Sequence, residues 1–331
     1  MNDNRIGTVL LTDRAWPDDH IEREVLAAGG FRLVTGPPAA GSTDAINALV
    51  ADHQPDGILT CWAPVSAEVI THTTNLRVIT RMGVGLDDIM VDVATRNGVQ
   101  VTNVPDYCVE EVSDHAVALV LSWARGIVAA DRQVHDGHWD PAGLRLRRLS
   151  ALTCGVIGFG RIGRATVTKL RALGSNVLVH TRTRPGESDG TNFVDLDELL
   201  RLSDVVILHV PLSDATRHLI GAQELALLPQ GAYLVNVGRG ALVDTGALID
   251  ALQSGHLAGA GLDMVEEEPC VPRALLDHAG VTVTPHIAFS SDISVTELRR
   301  RAAQDVVRVL TGKSPLYPCN YLPTASNGVS R

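Results

Sequence analysis

The residues most suited to chemistry begin with a glycine run. Gly158-Phe159-Gly160-Arg161-Ile162-Gly163 follows the apolar stretch Cys154–Ile157 and precedes the helical pattern Ala165–Leu173. A G-x-G-x-x-G run between strand and helix allows a tight turn and close approach of backbone to a pyrophosphate, while the helix N-terminus supplies N–H groups and a positive dipole. Gly158, Gly160, Arg161, Ile162 and Gly163 are therefore candidate dinucleotide contacts. About 20 residues further on, a site for NAD presents an acid to the ribose hydroxyls. Here the chain reads Val179-His180-Thr181-Arg182-Thr183-Arg184. Hydroxyl and guanidinium groups hold a 2′-phosphate that a carboxylate would repel, so Thr181, Arg182 and Arg184 favour NADP(H) over NAD(H), which stays possible. The alternative is a solvated basic loop.

Three later segments each bring one polar residue toward what reads as a single site. Arg239 lies between Gly238 and Gly240, Glu268 ends the acidic run Glu266–Glu268 before Pro269, and His286 follows Thr284-Pro285. Reduction of a carbonyl creates an alkoxide, which needs a nearby cation and a proton donor. A carboxylate beside an imidazole favours the protonated ring. Singly, the acids read as a solvated turn and His286 as a capped core histidine. Arg239 is harder to explain that way, because small neighbours allow close approach of backbone to a ligand.

The elements that must position these residues alternate along the chain. Short apolar runs at Val9–Leu11, Gly57–Cys61, Arg77–Thr80 and Val99–Asn103 are interleaved with amphipathic stretches at Ile21–Ala28, Ala67–His72 and Ile89–Thr95. One long helical pattern, Val109–Ala129, has the length to connect domains. A second alternation runs through Cys154–Gly158, Asn176–His180, Val205–Val210, Ala232–Val237, Ala258–Asp263 and Val281–Thr284, and an amphipathic pattern Val295–Leu310 closes the chain. The expected fold is α/β: two Rossmann-like domains with parallel sheets, a flavodoxin-like substrate domain (1–103 completed by 288–331) and an inserted NAD(P)-binding Rossmann domain (104–287). Ligands of open parallel sheets bind beyond the carboxyl ends of the strands, so the sequence places the site between the domains.

Composition removes other classes. The 331 residues are 45% hydrophobic and 20% charged, enough for real cores. A formal net charge of −10 disfavours nucleic acid or an anionic membrane as partner, and the longest basic cluster, Arg145, Arg147 and Arg148, reads as a solvated loop. The five cysteines are far apart without metal-ligand spacing, so neither structural zinc nor a disulfide framework is expected. No stretch of 18 apolar residues and no leader-like N-terminus is present, and the expected location is the cytoplasm.

The glycine run and the segments carrying Arg239, Glu268 and His286, in this order, resemble the D-2-hydroxyacid dehydrogenase family. The likeness extends from about Arg81 to Asn320, and segment Asp106-Tyr107-Cys108-Val109-Glu110-Glu111-Val112-Ser113-Asp114-His115 looks most like the branch of phosphoglycerate dehydrogenase and the C-terminal-binding-protein corepressors. The resemblance implies that Arg239 binds the substrate carboxylate and polarises its carbonyl, that His286 is the acid/base and that Glu268 pairs with it. It further implies cofactor contacts at Val210, Pro211, Thr216, Val237 and Asp263. It assigns substrate contacts to the turn Arg81-Met82-Gly83-Val84-Gly85 and leaves Phe289 to wall the pocket. Cys61 and Trp62 stand where phosphoglycerate dehydrogenases carry a phosphate-binding arginine, which argues against 3-phosphoglycerate. The activity implied is NAD(P)H-dependent reduction of a small 2-oxo acid to a D-2-hydroxy acid by a homodimer; the discontinuous substrate domain implies hinges near Asn103–Pro105 and Pro285–Ala288. The corepressor-like segments also suggest a dinucleotide-sensing scaffold with vestigial chemistry; the intact Arg239, Glu268 and His286 favour the enzyme.

Overall fold

A computed structural model describes residues 6–39, 41–184 and 190–322. The last part of the expected substrate domain, 323–331, lies outside the described residues. The chain divides into two compact units, Met1–Tyr107 with Ser291–Arg331, and Cys108–Ser290.

In the first unit five parallel strands, β1 (Thr8–Leu11), β2 (Arg32–Thr35), β3 (Gly57–Thr60), β4 (Val78–Arg81) and β5 (Gln100–Thr102), lie in the order β2-β1-β3-β4-β5. This is the flavodoxin-like order. Strands β1, β3 and β4 are buried at every position, as expected where helices cover both faces of a parallel sheet. The closing helix Asp292–Leu310 belongs to this unit and buries Leu298, Ala302 and Val306. Its Arg299 reaches the wholly buried Glu22, with Nε and Nη2 donating to the two carboxylate oxygens at 2.9 and 2.8 Å. A buried charge persists only when paired in this way.

The second unit has seven parallel strands: β6 (Thr153–Ile157), β7 (Asn176–His180), β8 (Asn192–Phe193), β9 (Val205–Leu208), β10 (Ala232–Asn236), β11 (Leu257–Leu262) and β12 (Val281–Val283). Their order, β12-β11-β10-β9-β6-β7-β8, is the doubly wound dinucleotide-binding arrangement with one strand added beyond the sixth. It is built from apolar, largely β-branched runs such as Val205-Val206-Ile207-Leu208, all of them buried.

The pattern Val109–Ala129 is not one helix. The first ends at Arg125, Gly126 takes a left-handed conformation (φ 62°), and a second helix runs Ile127–His135. Glycine reaches this region without the penalty of a Cβ, which ends a helix where apolar periodicity alone would extend it. The two helices bend by 60°, and no single helix among the described residues is long and apolar enough to cross a membrane. Nor is Arg147 simply solvated. Its guanidinium lies 4.1 Å from the centre of the Trp123 ring and donates to Gly231 O.

Candidate active site

Strand order explains how residues far apart in sequence come together. Arg239 follows β10, Glu268 follows β11 and His286 follows β12, three adjacent strands of one sheet. The glycine turn follows β6, on whose two sides β7 and β9 run. All therefore emerge at the carboxyl edge of the same sheet, where doubly wound folds bind ligands.

Each glycine of the turn meets a separate demand. Gly158 has φ 104°, and a Cβ there would lie 2.6 Å from His209 O. A Cβ on Gly163 would lie 2.1 Å from Gly158 O, so only glycine lets the helix Arg161–Ala172 start this close to the strand. At Gly160 a Cβ would meet nothing within 4 Å, which leaves open space beside an exposed Arg161 at the helix N-terminus. These are the conditions a bound pyrophosphate requires, and the residues present fit a dinucleotide.

Past β7, Thr181 Oγ1 donates to Thr183 O at 3.4 Å, Arg182 is exposed, and Arg184 Nη2 lies 3.3 Å from Asp195 Oδ1, both side chains well exposed. Past β9, Val210 is half-buried and Pro211 exposed, and Thr216 Oγ1 donates to Pro211 O at 2.7 Å, closing that loop. Val237 is buried just after β10.

Arg239 is half-buried. Its Nη1 donates to Gly238 O at 2.8 Å, and Asn236 Nδ2 donates to Arg239 O at 2.8 Å, so the strand end itself shapes this turn. His286 has φ 52°, a left-handed conformation rare for a residue with a side chain and held only where surroundings enforce it. Its N–H donates to Asp263 O at 3.0 Å, its Nδ1 donates to Glu268 Oε2 at 3.0 Å, and its ring meets that of Phe289 edge-on at 6.0 Å.

Asp263 supplies the enforcement. Almost wholly buried, it accepts from Thr284 Oγ1 at 2.6 Å, Ile287 N at 2.9 Å and Ala288 N at 2.8 Å, fixing the turn that carries His286. His115 Nε2 donates to Thr284 Oγ1 at 3.0 Å and so joins the helix Val109–Arg125 to this network. The link between Thr284 and His115 does not show in the sequence, because a partner 169 residues away leaves no local pattern.

In the first unit, Gly83 has φ 157°, Asn103 Nδ2 donates to Val84 O at 2.8 Å, and the exposed Val84 sits between them. Arg81 is only 6% exposed and donates to Met82 O at 2.8 Å, so it shapes this turn from within. The neighbouring turn Cys61–Ala63 is organised by Asp13, whose carboxylate accepts the N–H groups of Cys61, Trp62 and Ala63 at 2.9, 2.8 and 3.2 Å. Burial pushes the Cys61 thiol well above its ordinary pKa, which makes it inert. Among the described residues no group of three or more His, Cys, Asp or Glu is placed to hold a metal ion.

A dinucleotide turn on a doubly wound sheet, with an imidazole–carboxylate pair and an arginine on neighbouring strands, defines the class as a nicotinamide-dependent dehydrogenase. The family model for the D-isomer specific 2-hydroxyacid dehydrogenase NAD-binding domain matches residues 117–288. A protein named glyoxylate reductase from Thermococcus litoralis is 37% identical over 261 residues, 76% of this chain and 79% of that protein. The structure of an NADPH-dependent glyoxylate/hydroxypyruvate reductase from Sinorhizobium meliloti, in complex with NADP and malonate, superposes with a TM-score of 0.83 at 32% identity, covering 95% of this chain and 97% of the other. A D-lactate dehydrogenase from Aquifex aeolicus, complexed with NAD and lactic acid, gives 0.81 at 28% identity over 92% and 96%. The chain belongs to the D-isomer specific 2-hydroxyacid dehydrogenase family. It is an NAD(P)-dependent oxidoreductase acting on 2-oxo acids. The comparisons support the family rather than the phosphoglycerate dehydrogenase and corepressor branch to which segment 106–115 points.

Proposed function

We propose that the protein reduces glyoxylate, and other 2-oxo acids with a small side chain, with NADPH as the preferred reductant. The observation that carries this reading is the His286–Glu268 pair, held on adjacent strand ends in the unit that bears the glycine turn. A reduced nicotinamide dinucleotide, when bound, supplies a hydride to C2 of the substrate. Gly158, Gly160, Arg161, Ile162 and Gly163 hold its pyrophosphate, and Val210, Pro211, Thr216 and Val237 line its path. Asp263 retains lone-pair capacity for the carboxamide beyond the bonds it already accepts.

Arg239 pairs with the substrate carboxylate and polarises the carbonyl. As negative charge develops on the C2 oxygen, His286 delivers a proton from Nε2, and Glu268, engaged at Nδ1, orients the ring and stabilises its protonated form. Phe289, edge-on to the His286 ring, shapes the surroundings of the proton donor. Glyoxylate as substrate is supported by the names of the Thermococcus and Sinorhizobium proteins, and NADPH by Thr181, Arg182 and Arg184 where an acid would select NAD.

A homodimer is part of this reading. The helix Ile127–His135 buries none of its residues, and Ile127, Val134, Trp139 and Leu146 stay 57, 51, 85 and 44% exposed, which supports an association surface here. The test follows NADPH absorbance with glyoxylate, hydroxypyruvate, pyruvate and longer 2-oxo acids, with mass measured by light scattering. Turnover highest on glyoxylate or hydroxypyruvate by a dimer is expected; preference for a long branched 2-oxo acid overturns the substrate reading, and a monomer overturns the dimer.

A further inference from the structure

We infer that His218 and Glu266 are positioning residues that hold Glu268 against His286, an inference that rests on the acid/base reading of that pair. Glu268 lies in the turn 266–269 beyond β11, with its side chain 37% exposed. Holding an exposed carboxylate in one rotamer costs entropy, and an exposed ion pair returns little. Its placement therefore depends on how firmly the backbone of the turn is held.

Glu266 provides that hold at both oxygens. Oε1 accepts from His218 Nε2 at 2.6 Å, and Oε2 accepts from Thr245 Oγ1 at 2.8 Å and Thr245 N at 3.3 Å. Burial opposes ionisation of Glu266, but the hydrogen bonds from His218 and Thr245 outweigh it and keep the carboxyl below its ordinary pKa. His218 is itself constrained: φ is 51°, its N–H donates to Ala241 O at 2.8 Å, and its Nδ1 lies 4.0 Å from Asp244 Oδ2. On the other side of the turn, Val265 packs so closely that a Cβ on Gly240 would lie 2.0 Å from Val265 O.

Three segments thus meet at one pair of side chains: the loop carrying Thr216, the turn carrying Arg239 and the turn carrying Glu268. Val265 N also donates to Glu268 Oε1 at 3.4 Å, so displacement of this backbone displaces the catalytic carboxylate directly. His286 is faced by Glu268 from this turn. The Asp263 carboxylate behind it is held by Thr284, Ile287 and Ala288, with His115 3.7 Å away.

The experiment measures kcat against pH for glyoxylate reduction with NADPH, and dinucleotide Kd by fluorescence, for wild type, Glu268→Gln, Glu266→Ala, Glu266→Gln, His218→Asn and the double variant Glu266→Ala/Glu268→Gln. Asparagine tolerates the left-handed backbone, so His218→Asn removes the hydrogen bond without adding strain. Glu266→Ala and His218→Asn are expected to move the falling limb to lower pH, as Glu268→Gln does, and to lower kcat about fivefold at neutral pH. Dinucleotide Kd for Glu266→Ala stays within about twofold, Glu266→Gln recovers most of the wild-type profile, and the double variant shifts no further than Glu268→Gln alone. A limb that moves in Glu268→Gln but not in Glu266→Ala or His218→Asn, or an additive double variant, overturns the positioning role. An unmoved limb in Glu268→Gln overturns the acid/base reading and this inference with it.

Discussion

At His286 the left-handed backbone and the bond to Glu268 are both consequences of neighbouring strand ends, since Asp263 grips the following N–H groups while Glu268 takes the ring. The cofactor prediction belongs at this scale too. Among the described residues Arg184 pairs with an exposed Asp195, a pair of little net value; on the proposed NADPH reading a 2′-phosphate displaces it with charge-assisted bonds. Wild type should prefer NADPH in kcat/KM, and Thr181→Asp with Arg182→Ala should lower the NADPH-to-NADH ratio by about 10- to 100-fold. A wild-type enzyme that prefers NADH contradicts the reading. Residue types and chain order made Arg239, Glu268, His286 and the glycines visible in the sequence. Asp13, Asp263 as organiser of the His286 turn, and the His115–Thr284 link were not visible, because each acts through backbone N–H groups or partners remote in sequence.

Among the elements, the crossing of the β6 turn with the end of β9 carries a pH dependence of its own. His209 lies beneath the glycine turn, Nε2 2.9 Å from Thr166 Oγ1, and burial lowers its pKa from 6.5 to about 4. The folded protein therefore binds fewer protons here than the unfolded chain, and the stability contributed is complete above pH 6.5 and lost as pH falls from there toward 4. The fall in Tm between pH 7 and pH 5 should be smaller in His209→Gln than in wild type. An equal fall in both would show that this histidine is not the group responsible. Strands such as Val205–Leu208 were legible because burial on both faces demands an unbroken apolar run. The strand β2 and the helix Thr43–His53 were not: β2 has one fully buried residue, Leu33, and the helix only Ile46 and Val50, too few to set a period. The break at Gly126 was missed for the opposite reason, since apolar spacing continues through it.

At the scale of the whole molecule, two parallel-sheet units of different strand order are made from one chain that leaves the first unit and returns to it through the helix Asp292–Leu310. Alternating apolar runs made that architecture readable; the shape of individual turns was not, because it depends on tertiary hydrogen bonds such as those of Asp13 and Asn103. The central claim is that this scaffold reduces 2-oxo acids with His286 as proton donor. Its most direct test is steady-state NADPH oxidation with glyoxylate by wild type and His286→Ala, with dinucleotide Kd measured on both. Wild type should turn over, His286→Ala should lose about 10²- to 10⁴-fold in kcat, and Kd should change little. Equal turnover by the two proteins, or a wild type that binds dinucleotide tightly yet reduces neither glyoxylate nor any other 2-oxo acid, would contradict it.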